Sequence, residues 1–258
     1  MFRAWLVLAA LSLGSASGQA PSYSAANIVN AINLASGPVA PNSYISLFGA
    51  NLAWREESLT VENTAAGALP QTLADIRVYV ANYVAPLLYA GPSQINFLVP
   101  GNLSVGQVMV RVARQGVTGP EVPITLVDVA PHLFAYPNGY VLAQHTDYSA
   151  ILPDNPAHPG EIVVVYANGL GATHPNPDPG EIPWYAGLMT RLSDLRVSIG
   201  GSVLTPDRIL YAGLTPGWAG LYQINLRLPE VLGPDPEIRA AVGAQSSLAG
   251  LKLAAVSQ

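Results

Sequence analysis

The side chains best suited to hold a metal are the four histidines, His132, His145, His158 and His174, and no two of them stand two or four residues apart. One face of a strand or helix needs such spacing to present two ligands to one ion. Three of the four adjoin a proline, which marks them as loop residues, so no metal is expected on them. Asp147, Asp154, Asp178 and Glu181 fall in turn-rich stretches where oxygen ligands for Ca2+ could gather. The spacing of an EF-hand loop is missing, and solvated turns with local backbone hydrogen bonds are the expectation. Gly-x-Ser-x-Gly, His-Glu-x-x-His, Gly-x-x-x-x-Gly-Lys and a dinucleotide fingerprint are absent from the sequence, so hydrolase, zincin and nucleotide chemistry lack an anchor. No catalytic residue, cofactor or metal is predicted, and the chain reads as a non-enzyme. An extracellular polysaccharide-acting enzyme built on a carboxylate pair stays open as a third functional reading, because such a pair is assembled by tertiary structure.

What remains is the chemistry of flat rings and neutral amides. Trp184 and Tyr185 follow the Pro-rich stretch 175–181, Trp218 sits in an insertion of the second half, and Tyr140 and Tyr148 lie between the halves. Rings in loops stack on sugar faces or anchor protein interfaces. Trp184, Tyr185, Trp218, Tyr140 and Tyr148 are therefore the candidate ligand-binding residues, the competing role being to cover the edges of a core. Gln94 and Asn96 recur as Gln223 and Asn225, and the period-two rule puts each pair on one face of a strand. Recurrence favours a structural cause, with the amides tying the backbone of a neighbouring loop; ligand contact is the alternative.

The elements that must carry these groups are strands. Ile76, Val78 and Val80 alternate with polar or amphipathic residues, as do Val108, Val110 and Val112, and Leu195, Val197 and Ile199; this is the spacing of a half-buried strand. The runs 162–166 and 124–127 are continuously apolar and read as central strands. Gly200-Gly201, Asn138-Gly139, Gln115-Gly116 and Ala81-Asn82 are tight-turn signals between such segments. Residues 25–34 could form a short helical turn, and no longer helix is predicted.

Pro-Asn-Ser-Tyr-Ile-Ser-Leu-Phe-Gly-Ala-Asn-Leu (41–52) aligns with Pro-Gly-Glu-Ile-Val-Val-Val-Tyr-Ala-Asn-Gly-Leu (159–170). Further on, Ile-Arg-Val (76–78) meets Leu-Arg-Val (195–197), Leu-Tyr-Ala-Gly (88–91) meets the same four residues at 210–213, and Gln-Ile-Asn (94–96) meets Gln-Ile-Asn (223–225). The offset grows by small insertions, the largest near 215–221, as when loops lengthen and strands hold. The predicted fold class is all-β, two tandem immunoglobulin-like β-sandwich domains, over residues 19–130 and 131–258. Within the second, 132–158 reads as a connecting segment with a hairpin at 145–149.

Only 10% of residues are charged, where about 25% is usual, and the net charge of −5 argues against binding a nucleic-acid backbone. Arg3, an apolar run over 4–13 and the small residues 14–18 have the layout of a signal peptide cleaved after Gly18. That run falls well short of the roughly 20 residues a membrane span needs, so a secreted, cell-surface or periplasmic protein with no membrane span after cleavage is expected. The absence of cysteine excludes disulfides and a lipidated cysteine. Sheet edges protected by few charges also open a route to self-association.

A specific series of motifs runs from about Asn27 to the C-terminus. It comprises Phe-Gly-Ala-Asn-Leu (48–52), Leu-Pro-Gln-Thr-Leu (69–73), Ala-Pro-Leu-Leu-Tyr-Ala-Gly-Pro-Ser-Gln-Ile-Asn-Phe-Leu-Val-Pro (85–100), Asn-Pro-Ala-His-Pro-Gly-Glu (155–161), Tyr-Ala-Asn-Gly-Leu-Gly (166–171) and Gly-Leu-Tyr-Gln-Ile-Asn (220–225). In these the chain resembles the Solibacter-type C-terminal domain family of exported acidobacterial proteins, and each half more distantly resembles an IPT/TIG immunoglobulin-like domain. One turn departs from the family pattern, reading Gln-His-Thr-Asp-Tyr (144–148) where Asn-Gln-Asp-Gly is usual. The resemblance implies a β-sandwich fold and export, and brings no catalytic residue. The expected function is a non-catalytic surface or extracellular binding or adhesion module for polysaccharide or a surface protein, with a structural spacer or assembly domain of the cell envelope as the alternative.

Overall fold

The computed structural model describes residues 19–257; the signal-peptide reading of 1–18 lies outside the described residues. The first half carries β1 (Ile28–Asn30), β2 (Tyr44–Phe48), β3 (Glu57–Ser58), β4 (Ile76–Val80), β5 (Tyr83–Val84), β6 (Leu87–Ala90), β7 (Gln94–Leu98), β8 (Gly106–Arg114), β9 (Val117–Thr118) and β10 (Val122–Leu126). They pair antiparallel in two sheets, ordered β1-β2-β7-β6-β3 and β10-β8-β4-β5, with β9 beside β8. The second half carries β11 (His132–Leu133), β12 (Ala143–Gln144), β13 (Ile162–Asn168), β14 (Thr173–His174), β15 (Leu188–Met189), β16 (Leu195–Ile199), β17 (Ser202–Val203), β18 (Ile209–Leu214), β19 (Tyr222–Arg227), β20 (Ile238–Val242) and β21 (Gln245–Ser246). Its sheets run β11-β13-β19-β18-β15-β14, with β12 beside β13, and β17-β16-β20-β21.

The alternation read from the sequence is what packs these sheets in pairs. Ile76, Val78 and Val80 of β4, Val110 and Val112 of β8, Leu47 of β2, and Ile95 and Phe97 of β7 meet in one buried core. Val163 and Val165 of β13, Ile224 and Leu226 of β19, Val197 of β16, and Ala240 and Val242 of β20 meet in another. Each Val, Leu, Ile or Phe among them, fully removed from water, contributes about 1.5–3 kcal/mol. The chain is thus all-β, two immunoglobulin-like β-sandwiches in succession. The aligned segments occupy corresponding places: β2, β7 and β6 lie side by side as β13, β19 and β18 do. Even a bulge recurs, between Leu87 and Tyr89 on β6 and between Ile209 and Tyr211 on β18. Gly200 and Gly201, with φ of 57° and 80°, turn β16 into β17, as a two-residue hairpin loop with both central residues left-handed requires.

Three expectations are corrected. The run 124–127 is not a central strand: β10 ends its sheet, and its side chains alternate in burial. Pro123, which has no N–H to donate, suits an edge. Residues 132–158 are not a separate connector, because β11 and β12 pair with β13 while Leu133, Val141, Ala143, Ile151 and Ala157 join the second core. Over 25–34 only Ala25–Asn27 forms a helical turn; the buried Ile28 and Val29 are taken up as β1 against β2.

The two sandwiches are joined by more than the chain. Asn168 is 0% exposed; its Nδ2 donates to the carbonyls of Asn42 (3.0 Å) and Gly220 (2.8 Å), and its Oδ1 accepts from the Tyr44 N–H (3.3 Å). Leu69 N–H donates to the Gly180 carbonyl and Ile182 N–H to the Gly67 carbonyl, both at 2.8 Å. The Pro-rich stretch of the second half is therefore stitched to a loop of the first. Leu69, Leu98 and Ala219 close a small apolar cluster beside these bonds.

Candidate functional site

The outward faces of β2, β6 and β7 and of β13 and β19 line a groove of about 1190 Å3 where the two sandwiches meet. Period two decides which side chains face it. Ile95 and Phe97 point into the first core, leaving Asn96 on the other face; Tyr222 and Ile224 point into the second, leaving Gln223 outward. Tyr44 and Tyr166 occupy the outward parity of β2 and β13 in the same way, and Tyr166 lies opposite Gln223 across the ladder.

Five rings take part: Tyr44, Phe134, Tyr148, Tyr166 and Trp218. Tyr44 and Phe134 meet edge to face, centroids 6.1 Å apart, and the Tyr44 hydroxyl donates to the Ala219 carbonyl. Burial raises the phenols of Tyr44 and Tyr166 above the ordinary value, so both stay neutral hydroxyls across the physiological range. The amides are half used. Asn96 Oδ1 accepts from Gln94 Nε2 (2.8 Å) and Ser46 Oγ (2.9 Å), leaving its own N–H donors for the groove. Gln144 Oε1 accepts from the Tyr166 hydroxyl (2.7 Å), and Gln223 Nε2 donates to Asn225 Oδ1 (3.0 Å), leaving the Gln144 amide N–H groups and Gln223 Oε1. Among the described residues, no Asp, Glu, Lys, Arg or His lines the groove.

The Gln-x-Asn pairs thus hold each other, Gln donating to Asn in both halves, instead of tying a loop backbone as the sequence suggested. That internal bond fixes each amide's orientation, and it brings Asn96 from one pair and Gln223 from the other to the groove.

Of the sequence candidates, Tyr148 and Trp218 line the groove together. Trp218 stands on a turn closed by Thr215 N–H to the Leu221 carbonyl (2.9 Å) and by Gly217 N–H to the Pro183 carbonyl (2.6 Å), and is 62% exposed. Trp184 is not among the lining residues but neighbours Pro183, while Tyr185 packs against the second core. Tyr140 is elsewhere: its hydroxyl bonds Asp235 at 2.8 Å and its ring packs on the second core. Asn96 and Gln223 belong to the recurring pairs for which ligand contact was the alternative reading, and both line the groove; Tyr44, Phe134, Tyr166 and Gln144 have no such mark in the sequence. For Tyr44 and Tyr166 the available signal was an aromatic on the outward parity of a strand.

Tyr148, 83% exposed, is carried by a hairpin closed by His145 N–H to the Ser149 carbonyl (3.0 Å). His145 Nδ1 meets Glu161 and its Nε2 faces the Asn155 carbonyl at 3.2 Å. Two acceptors on two ring nitrogens call for two N–H groups, the imidazolium. Burial opposes the charge, but the bonds to Glu161 and Asn155 and the charges of Glu161 and Asp147 outweigh it, so the His145 pKa is raised. A raised folded value gives stability that is fully present below the unfolded pKa of about 6.5 and lost as pH rises through the folded one. The melting temperature is expected to fall as pH rises through that window, and His145→Gln to flatten the profile; an unchanged profile in the variant would assign the pH dependence to other groups.

Among the described residues no group of three or more His, Cys, Asp or Glu side chains is placed to hold a metal, and no helix is long and apolar enough to cross a membrane. No protein-family profile and no curated protein matches the chain. Solved structures do. The surface glycan-binding protein PbSGBP-B from Prevotella bryantii is similar over 92% of this chain and 42% of its own, at 14% identity and a TM-score of 0.28. The SGBP-B of the Bacteroides ovatus mixed-linkage glucan utilization locus, in complex with a mixed-linkage heptasaccharide, is similar over 85% and 43%, at 11% identity and a TM-score of 0.32. Domains 5–6 of the S-layer protein SbsC are similar over 92% and 99%, at 9% identity and a TM-score of 0.28. The chain spans less than half the length of the two glycan-binding chains.

Proposed function

We propose that this protein is an exported, non-catalytic binding module that holds a neutral polysaccharide in the groove between its sandwiches. The observation that carries the reading is the composition of the groove: five rings, half-used amides of Asn96, Gln144 and Gln223, and no charged side chain. A pyranose presents apolar C–H faces and a rim of hydroxyls that both donate and accept. Rings serve the first and open amide groups the second. A groove without carboxylates also offers no acid and base pair for glycoside hydrolysis. The volume exceeds the roughly 300–1,000 Å3 of a pocket for one small molecule, so an oligosaccharide segment is the fitting ligand. Export is the part of the reading that rests on the leader-like residues 1–18 and on the family resemblance.

The test is isothermal titration of the mature protein with neutral glucans, mannans, xylans and galactans beside acidic pectate and alginate. Binding of at least one neutral polymer is expected, with affinity unchanged between low and high salt because no ion pair is formed. Binding confined to acidic polymers, and weakened by salt, would refute the reading. A spacer role is the second reading, favoured by the bonds at Asn168 and between 67–69 and 180–182, which make the junction stiff. It predicts no glycan binding and anchoring in the envelope fraction.

A further inference from the structure

Trp184 is the most exposed tryptophan of the described residues, at 86%, yet nothing about its setting is loose. Tyr185 braces its ring edge to face, centroids 5.8 Å apart and planes at 87°, and is itself packed on the second core. Two residues before Trp184, Ile182 lines the groove and is pinned by its N–H to the Gly67 carbonyl. Immediately before it, the Pro183 carbonyl accepts from Gly217, whose next residue is Trp218. One backbone hydrogen bond of 2.6 Å therefore joins the segments that present the two tryptophans, one lining the groove and the other just beyond it.

A large ring braced by its neighbour and 86% exposed gives the sandwich little burial. It is what a stacking platform requires, because little ordering remains to be done when the ligand arrives. Charge does not select another occupant. Glu181, whose carboxylate accepts the Asp178 N–H, is the acid nearest in sequence, and the nearest Arg or Lys in sequence, Arg191, is paired with Asp128 and Asp194. The continuation of the same neutral chain is the fitting partner.

We infer that the bound glycan leaves the groove past Trp218 and stacks a further sugar ring on Trp184, so that the protein recognises a chain and not a chain end or a short oligomer. The inference rests on the groove reading above. It is tested by titrating gluco-, manno-, xylo- and galacto-oligosaccharide ladders, from disaccharide to octasaccharide, into the wild type and into Trp184→Ala and Trp184→Phe. Wild-type affinity is expected to climb with length to a plateau. Trp184→Ala should remove the last part of the climb, about tenfold for the longest members, the size of one stacking contact, and Trp184→Phe should restore much of it. Equal loss at every length, or no loss at any, overturns the role of Trp184 while leaving the groove reading intact. Failure of every ladder to bind the wild type, or binding of apolar peptides in their place, overturns both.

Discussion

Replacing Trp218 and Tyr148 together by alanine should lower neutral-glycan affinity by about a hundredfold or more, since two stacking rings of about tenfold each are lost from the groove. Both rings line the groove from loops of the second sandwich, one following β18 and the other following β12. Their removal should cost the fold little. Both are mostly exposed, their loops are closed by backbone bonds that alanine retains, and exposed substitutions of this kind lie within about 0.5 kcal/mol. Titration beside thermal unfolding checks both halves of the statement. If affinity survives in a stable double variant, the rings are spectators and the groove is not the site.

The largest stability effect is expected at Asn168. Asn168→Ala leaves two backbone carbonyls, of Asn42 and Gly220, and the Tyr44 N–H without their side-chain partner in a site closed to water. Each unsatisfied buried group costs about 1–3 kcal/mol, so a loss of about 3 kcal/mol, read from urea unfolding, is the expectation after partial relaxation. Asn168→Asp should be no better, because it supplies no N–H to either carbonyl and introduces a charge into a buried place. Binding should weaken as well, since Asn168 fixes Tyr44 on one wall and the segment next to Ala219 on the other. A variant as stable as the wild type would mean that packing around Leu69, Leu98 and Ala219 alone joins the sandwiches.

The strands were legible because their cause is local. β4 and β16 are found over the residues whose apolar side chains alternate, since period two and burial on one face are the same fact. The hairpin turns at Gly200-Gly201 and Gln115-Gly116 were legible for the same reason, a backbone requirement met by the residues themselves. The run 124–127 misleads because the exposed Pro123 and Thr125 give β10 an alternating pattern, the mark of a strand with one wet face. Residues 132–158 hide their strands because β11 and β12 are two residues long and owe their existence to β13, a partner more than twenty residues distant from β11. The groove was only half legible. The loop rings Tyr148 and Trp218 announce themselves and the recurrence marks Asn96 and Gln223, whereas Tyr44 and Tyr166 read as the ordinary outer face of a sheet until the second sandwich is set against the first.

That dependence on two walls has a consequence for how the chain can be divided. Tyr44, Leu88 and Asn96 belong to one sandwich, and Tyr166, Trp218 and Gln223 to the other. Each sandwich has a core of its own, but a half made alone would carry one side of a cleft, an open sheet face with nothing opposite. On the proposed reading of the groove the smallest piece able to bind is the joined pair, and a gene fusion or truncation that keeps one intact sandwich is expected to keep the architecture and lose glycan binding.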